Sequence, residues 1–396
     1  MRDSIRLGRI AGVPVGLDWT VLLIAWLIAW SLASRVLPFE VPGQGSVAYW
    51  AAALVVAALF FASLLAHELA HAVVAGRQGL QVEGITLWLL GGVARLRGEA
   101  RSPGAEALIA GVGPLTSIAL AVPCLVLGAV LESAEVAPLV AASASWLGRV
   151  NLIIGVFNLL PGAPLDGGRL VRALFWRLRG DGLQATVWAT FLGRMLGYLL
   201  VALGCVELFV EVDLGGLWFI VLGIFLVIAA GSERRQAELS AALADVRVGD
   251  VMVVDPPTVP AGLTVDVLAD ALPDRKEAPG TWLVAEPDGT IVGILGTEQI
   301  GELSPERQRT TRVADRTTVL ESLPVAAPEE RLLDLLERLP DEADLRAIVR
   351  ADGRIAGLVT PASVARVVEA HQGRRRRLRR PGTGSGTTGD PPAGTT

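Results

Sequence analysis

His67, Glu68 and His71 stand in "SLLAHELAHAVVAG", residues 63–76, within a long apolar run. An ionisable group at the centre of a bilayer costs roughly 2.5–3.5 kcal/mol on insertion scales, so three within five residues call for a reason. On a helix the four-residue spacing puts both imidazoles on one face, one turn apart. Two neutral ring nitrogens so placed can bind one metal ion, while Glu68 can reach a water on that ion. The chain has three histidines, and the third, His371, falls in a basic tail. The remaining ligand is therefore expected to be an oxygen. Asp166 is the leading candidate, at the end of the broken stretch around Pro161, Gly162 and Pro164, and Glu106 is the competitor. Asp166 could equally cap the helix that follows it.

Such groups need a frame to hold them. Apolar residues make up 52% of the 396-residue chain and crowd the part before residue 232, and the mean hydropathy is +0.51. Stretches of about 20 apolar residues give six spans: 18–36, 48–76, 104–131, 137–160, 186–210 and 215–231. Arginines collect before the first span, between the second and third, after the fourth and after the sixth. By the positive-inside rule all four groups are cytoplasmic, with both chain ends inside. His67 and Asp166 then lie near the same end of their spans. Cys124 and Cys205 sit in apolar spans without a CxxC partner, which excludes a disulfide framework and a cysteine zinc site. No cleavable signal peptide is evident. The net charge of −5 excludes little, because basic and acidic regions partly cancel.

Between the second and third spans, "GLQVEGITLWLLGGVARLRG" is too interrupted to cross a bilayer and carries the β-formers Val82, Ile85, Thr86 and Leu87. It predicts a short interfacial β-hairpin turning at Gly91 and Gly92. Irregular backbone at that depth implies burial in protein or a wet cavity.

At this point the chain resembles the site-2 protease family of intramembrane zinc metalloproteases. The resemblance rests on "HELAH" (67–71), "GGVA" (91–94), "AGVGPLTS" (110–117) and "NLLPGAPLDGG" (158–168), in the family's order, and covers residues 1–231. It implies one zinc ion held by His67, His71 and Asp166, with Glu68 as general acid/base and Asn158 orienting substrate or stabilising the tetrahedral intermediate. An interhelical hydrogen bond is the structural alternative for Asn158. The implied substrates are transmembrane or membrane-tethered proteins, such as anti-sigma factors, cut near the cytoplasmic leaflet in regulated intramembrane proteolysis. One departure is "GLDWT" (16–20), where a histidine is expected before the tryptophan.

Beyond residue 246 two segments echo each other about 64 residues apart: "VGDVM" with "VADRT", and "GTIVGILGTEQI" with "GRIAGLVTPASV". Each combines a helical pattern with strands around an Asp-Gly turn. This is similar to a tandem pair of cystathionine-β-synthase (CBS) domains, which implies a regulatory module, an adenine nucleotide as its ligand and a homodimer as its assembly. The aspartate expected on the ribose hydroxyls is replaced by Gln299 and Ser363; Thr360 keeps a hydroxyl near the phosphate position and Gly296 does not.

The sequence thus predicts a polytopic α-helical membrane protein, with about six transmembrane helices and a short interfacial β-hairpin, followed by a soluble α/β tandem CBS module and a disordered tail. The expected boundaries are 1–231, a linker at 232–245, repeats at 246–304 and 309–370, and a basic tail at 371–396. Six arginines among residues 374–380 suit anionic lipid headgroups of the bilayer, and a nucleic-acid role suits a polytopic protein poorly. The competing function is a CBS-gated transporter or ion channel that uses the His/Glu/Asp cluster as an ion site. It lacks an evident inverted repeat of broken helices.

Overall fold

The computed structural model describes residues 5–88, 91–98, 100–210, 215–271, 280–339, 346–367 and 369. They fall into two compact units, Met1–Ala237 and Glu238–Thr396. The basic tail expected from residue 371 lies outside the described residues.

The first unit opens with β1 (Ile5–Ile10) and β2 (Val13–Leu17), an antiparallel hairpin turning at Ala11 and Gly12 with φ of 49° and 83°. Positive φ at both turn residues matches the right-handed twist of the strands. β2 pairs in parallel with β3 (Gln81–Trp88), and β3 pairs antiparallel with β4 (Gly91–Arg97). The order β1-β2-β3-β4 leaves β4 as an edge strand. The expected hairpin is therefore half of a four-stranded sheet, because Val15 pairs with Ile85 across 70 residues of chain. Gly91 and Gly92 do not form its turn: they open β4 opposite Trp88 and Leu87. Val13, Ile85 and Leu87 pack with Val21 and Ala72, which fixes the sheet to the helices.

The helices are α1 (Thr20–Glu40), α2 (Ser46–Arg77), α3 (Pro103–Ser133), α4 (Pro138–Asn158), α5 (Asp166–Arg179), α6 (Gly182–Phe209) and α7 (Gly215–Leu243). Among the described residues all but α5 are long and apolar enough to cross a membrane, six in number as expected. Helices in lipid have no hydrophobic drive to associate and approach through small residues. At the α3–α4 contact, a Cβ on Gly155 would lie 3.0 Å from the Pro114 carbonyl oxygen. α7 runs on to Leu243, so residues 232–243 of the expected linker are helical.

The second unit contains two four-stranded sheets of matching design, β6-β7-β8-β9 and β10-β11-β12-β5. Their strands are β5 (Val253–Val254), β6 (Thr258–Pro260), β7 (Thr281–Ala285), β8 (Ile291–Gly296), β9 (Thr318–Val319), β10 (Val325–Ala326), β11 (Ala347–Ala351) and β12 (Arg354–Val359). The leading strand of each repeat crosses over: β5 pairs with β12 and β9 with β8. Each sheet is completed by the other repeat, an exchange invisible to local periodicity. Leu283, Ile294, Ile348 and Leu358, one from each central strand, form the core between the sheets.

Candidate metal centre

His67 and His71 are buried on α2, with 3% and 6% of their surfaces exposed. The His71 Nδ1–H donates to the Ile109 carbonyl at 2.6 Å, and His67 Nδ1 lies 2.9 Å from Ser117 Oγ. A carbonyl only accepts, so the neutral His71 ring presents its Nε2 lone pair on the other side. That Nε2 lies 3.2 Å from His67 Nε2. Asp166 Oδ2 stands 3.3 Å from His67 Nε2 and 3.2 Å from His71 Nε2.

A hydrogen on one of these atoms can satisfy its neighbours only in part, whereas a single metal ion among them accepts a lone pair from all three. Donors placed tetrahedrally at ~2.0–2.1 Å from one ion stand ~3.3–3.4 Å apart. The observed separations fit that spacing, and among the described residues these three side chains form the one cluster able to hold a metal ion.

Asp166 arrives by a different route. It is the first residue of α5 rather than the residue before it, and its carboxylate turns toward the imidazoles. The two following glycines allow this. A Cβ on Gly167 would sit 2.3 Å from the Leu160 carbonyl oxygen, and one on Gly168 would sit 2.2 Å from the Ala163 nitrogen. The loop before α5 is held in turn by Ala163 N–H donating to the Ala189 carbonyl of α6 at 3.0 Å. Glu106, the competing ligand, is fully buried and bound instead to Arg172 at 2.9 Å and Arg169 at 3.6 Å. Its ion pair ties α3 to the helix that carries Asp166.

The cluster opens on a cavity of about 720 Å³ lined by Glu68, Asn158 and Arg169 together with Phe60, Phe61, Phe157, Trp218 and Phe225. Asn158 donates one amide hydrogen to the Ile154 carbonyl at 3.1 Å, the i−4 bond of its own helix. β4 forms part of the wall through Gly91, Gly92 and Ala94. Gly92 lies directly on Glu68, since an added Cβ would fall 2.2 Å from Glu68 Cγ. Only glycine there lets the strand pass so close to the carboxylate.

Three contributors were not singled out as site residues from sequence: the Ile109 carbonyl, Gly113 and Ser117. A Cβ on Gly113 would meet His71 Nε2 at 2.1 Å and His67 Nε2 at 2.7 Å. The signal lay in "AGVGPLTS", whose Gly113 and Ser117 repeat the four-residue spacing of the histidines.

In the second unit the two positions expected on a ribose are engaged by other groups of the same unit. Gln299 Oε1 accepts from Gly296 N–H at 2.8 Å and its Nε2 donates to Thr318 Oγ1 at 3.1 Å. Ser363 Oγ accepts from Thr360 N–H at 3.0 Å and donates to the Thr360 carbonyl at 2.9 Å.

A bundle of membrane-spanning helices that converges two imidazoles and a carboxylate, with a second carboxylate in the adjoining cavity, has the composition of a membrane metallohydrolase. The model of Peptidase family M50 matches residues 55–142 and 130–202. The chain is 44% identical over 375 residues, 94% of each chain, to Rip3 of Mycobacterium tuberculosis, which carries the name of a zinc metalloprotease. It belongs to Peptidase family M50 and is a zinc metalloprotease of the site-2 protease type. Among solved structures, the site-2 protease from Methanocaldococcus jannaschii is 26% identical, with a TM-score of 0.40 over 58% of this chain and 95% of that one. The CBS domain of a bacterial CNNM/CorC family Mg2+ transporter is 20% identical, with a TM-score of 0.29 over 37% of this chain and 93% of that one.

Proposed function

We propose that this chain is an intramembrane endopeptidase that cuts transmembrane or membrane-tethered proteins near the cytoplasmic leaflet, with His67, His71 and Asp166 holding the zinc ion. The observation that carries the reading is the approach of His67 Nε2, His71 Nε2 and Asp166 Oδ2 to within 3.3 Å of one another, beside the cavity that holds Glu68. When bound, zinc lowers the pKa of a coordinated water and polarises a carbonyl. Glu68 takes the proton of the attacking water and delivers it to the leaving amide nitrogen as the C–N bond breaks. Asn158 donates to the substrate carbonyl with its remaining amide hydrogen.

A substrate helix hides its peptide carbonyls in its own hydrogen bonds and must unwind before attack. β4 offers an unwound segment an edge on which to pair, beside Glu68. Proline placed in β4 where an N–H points away from β3 abolishes cleavage if substrate adds there as a strand; undiminished cleavage rejects strand addition. The aromatic lining lowers the polarity around the site, which strengthens the charge interactions within it.

The positive-inside distribution supports a multi-pass protein of the cell membrane with both ends cytoplasmic. The second unit is then cytoplasmic, and it acts as a regulatory module. The engagement of Gln299 and Ser363 with neighbouring protein groups counts against a ribose contact from an adenine nucleotide. AMP or ATP at millimolar concentration is expected to leave amide exchange in residues 246–367 unchanged; protection of both repeats would show nucleotide binding.

The test of the catalytic reading uses single-span reporter proteins in liposomes with the full-length protein. Wild type and Glu68→Gln are both expected to retain one zinc ion, with cleavage lowered about 10²–10⁴-fold in the variant, the range of a lost general base. The transporter alternative predicts ion flux that survives Glu68→Gln.

A further inference from the structure

The histidines are held from behind by one face of α3. Ile109, Gly113 and Ser117 are four residues apart and so project from the same side of the helix. A helical carbonyl points toward the C-terminus, and a side chain leans toward the N-terminus. The Ile109 carbonyl and the Ser117 hydroxyl therefore close toward each other across Gly113. The two oxygens meet the Nδ1 atoms of His71 and His67, which are themselves one turn apart on α2. Gly113 leaves the room that both rings occupy.

The two bonds are chemically unequal. His71 faces a carbonyl and has to donate. His67 faces a hydroxyl, which can donate or accept. If Ser117 donated, His67 would carry its hydrogen on Nε2, pointed at His71 Nε2 3.2 Å away and Asp166 Oδ2 3.3 Å away. A hydrogen in that position occupies the lone pair a metal needs.

We propose that Ser117 is a positioning residue for His67: its oxygen accepts the Nδ1 hydrogen and holds the ring in the tautomer whose Nε2 lone pair faces Asp166. This rests on the reading of His67 as a zinc ligand. Ser117 is 1% exposed, so water does not readily replace the bond. Groups that receive the outer nitrogen of a ligating histidine typically contribute 10–100-fold to metal affinity.

The experiment measures zinc affinity of the full-length protein in detergent by chelator competition, with cobalt(II) absorption as a second readout. Ser117→Ala is expected to weaken zinc binding about 10–100-fold and to change the cobalt spectrum. Ser117→Thr keeps the hydroxyl and is expected to restore both affinity and spectrum, which a loss of packing alone does not predict. Wild-type affinity and spectrum in Ser117→Ala overturn the proposal, as does a Ser117→Thr variant as weak as Ser117→Ala. His67→Ala separates the two layers. Zinc lost in His67→Ala and retained in Ser117→Ala rejects only the role of Ser117, whereas zinc retained in His67→Ala rejects the ligand set beneath it.

Discussion

Two groups of polar residues, one in each unit, are used in opposite ways. In the first, polar side chains from α2, α3 and α5 are brought together from distant parts of the chain: His67 meets Asp166 and Ser117, and Glu106 meets Arg172. In the second, Gln299, Thr360 and Ser363 bond mostly within a few residues of themselves. Groups that converge from separate elements point at a common space and leave valence there for a ligand. Groups that cap their own helix have already used theirs. The difference teaches that residue type at a family position says less than what the side chain is already bound to.

The largest expected effect tests the convergence itself. Gly113→Ala puts a methyl against both Nε2 atoms, 2.1 Å and 2.7 Å away in the unrelaxed backbone, and neither ring can retreat without losing its Nδ1 bond. Bound zinc is expected to fall from one per chain to none, measured by metal analysis of purified protein. A variant that keeps its zinc would show that α3 can yield and that the wall is soft.

The tie between α3 and α5 comes next. Glu106 is fully buried, and its partner Arg172 is largely so. Removing one member of a buried pair typically costs about 3–5 kcal/mol where it strands the other charge, and Arg169 at 3.6 Å from Glu106 brings the cost here below that range. Arg172→Met alone is expected to destabilise the protein more than Glu106→Leu and Arg172→Met combined, read from thermal unfolding in one detergent. A double variant worse than the single would mean that the pair itself, rather than the stranded carboxylate, dominates.

In the second unit the expected effects are smaller. Arg346 is buried, donates to Thr281 Oγ1 at 3.1 Å and pairs with Glu298, which is mostly exposed. Burial alone would raise the Glu298 carboxyl above its ordinary value of 4.5, but the backbone hydrogen bond and the Arg346 guanidinium outweigh it and the net shift is downward. A carboxyl with a lowered folded pKa stabilises at pH above its unfolded value and loses that contribution as pH falls through the folded one. Glu298→Gln is therefore expected to reduce amide-exchange protection in β7 and β11 at pH 7 by less than about tenfold, in line with a solvent-exposed pair. The difference should fade as pH falls through the lowered folded pKa of Glu298. A deficit that persists in acid would mean that the effect is not electrostatic.

Much of this was legible in the chain. Six apolar runs gave the spans because a bilayer demands long segments that satisfy their own backbone. The four-residue spacing of His67 and His71 gave a shared face because helical geometry is local. The sheet was half legible: β3 and β4 are neighbours in sequence, while β1 and β2 reach them only through the parallel pairing of β2 with β3. The repeat in the second unit was visible as an echo, but the exchange of β5 and β9 between sheets was not, because period-two alternation says nothing of which partner a strand will choose.

The sequence by itself determined the chemical vocabulary of the site: two imidazoles one turn apart, a carboxylate between them, and an aspartate followed by two glycines at a broken helix end. Spacing along one helix and the hydropathy of a span are properties of neighbouring residues, so they need no fold to be read. Tertiary structure gave Asp166 and Glu106 different neighbours, because both are carboxylates at the same expected depth and only the packing of α3 against α5 turns one toward the imidazoles and the other toward Arg172. It also brought Gly113 and Ser117 behind the histidines and laid Gly92 of β4 on Glu68. Those contacts join residues tens of positions apart, and their cause is close packing between elements, which no local pattern encodes.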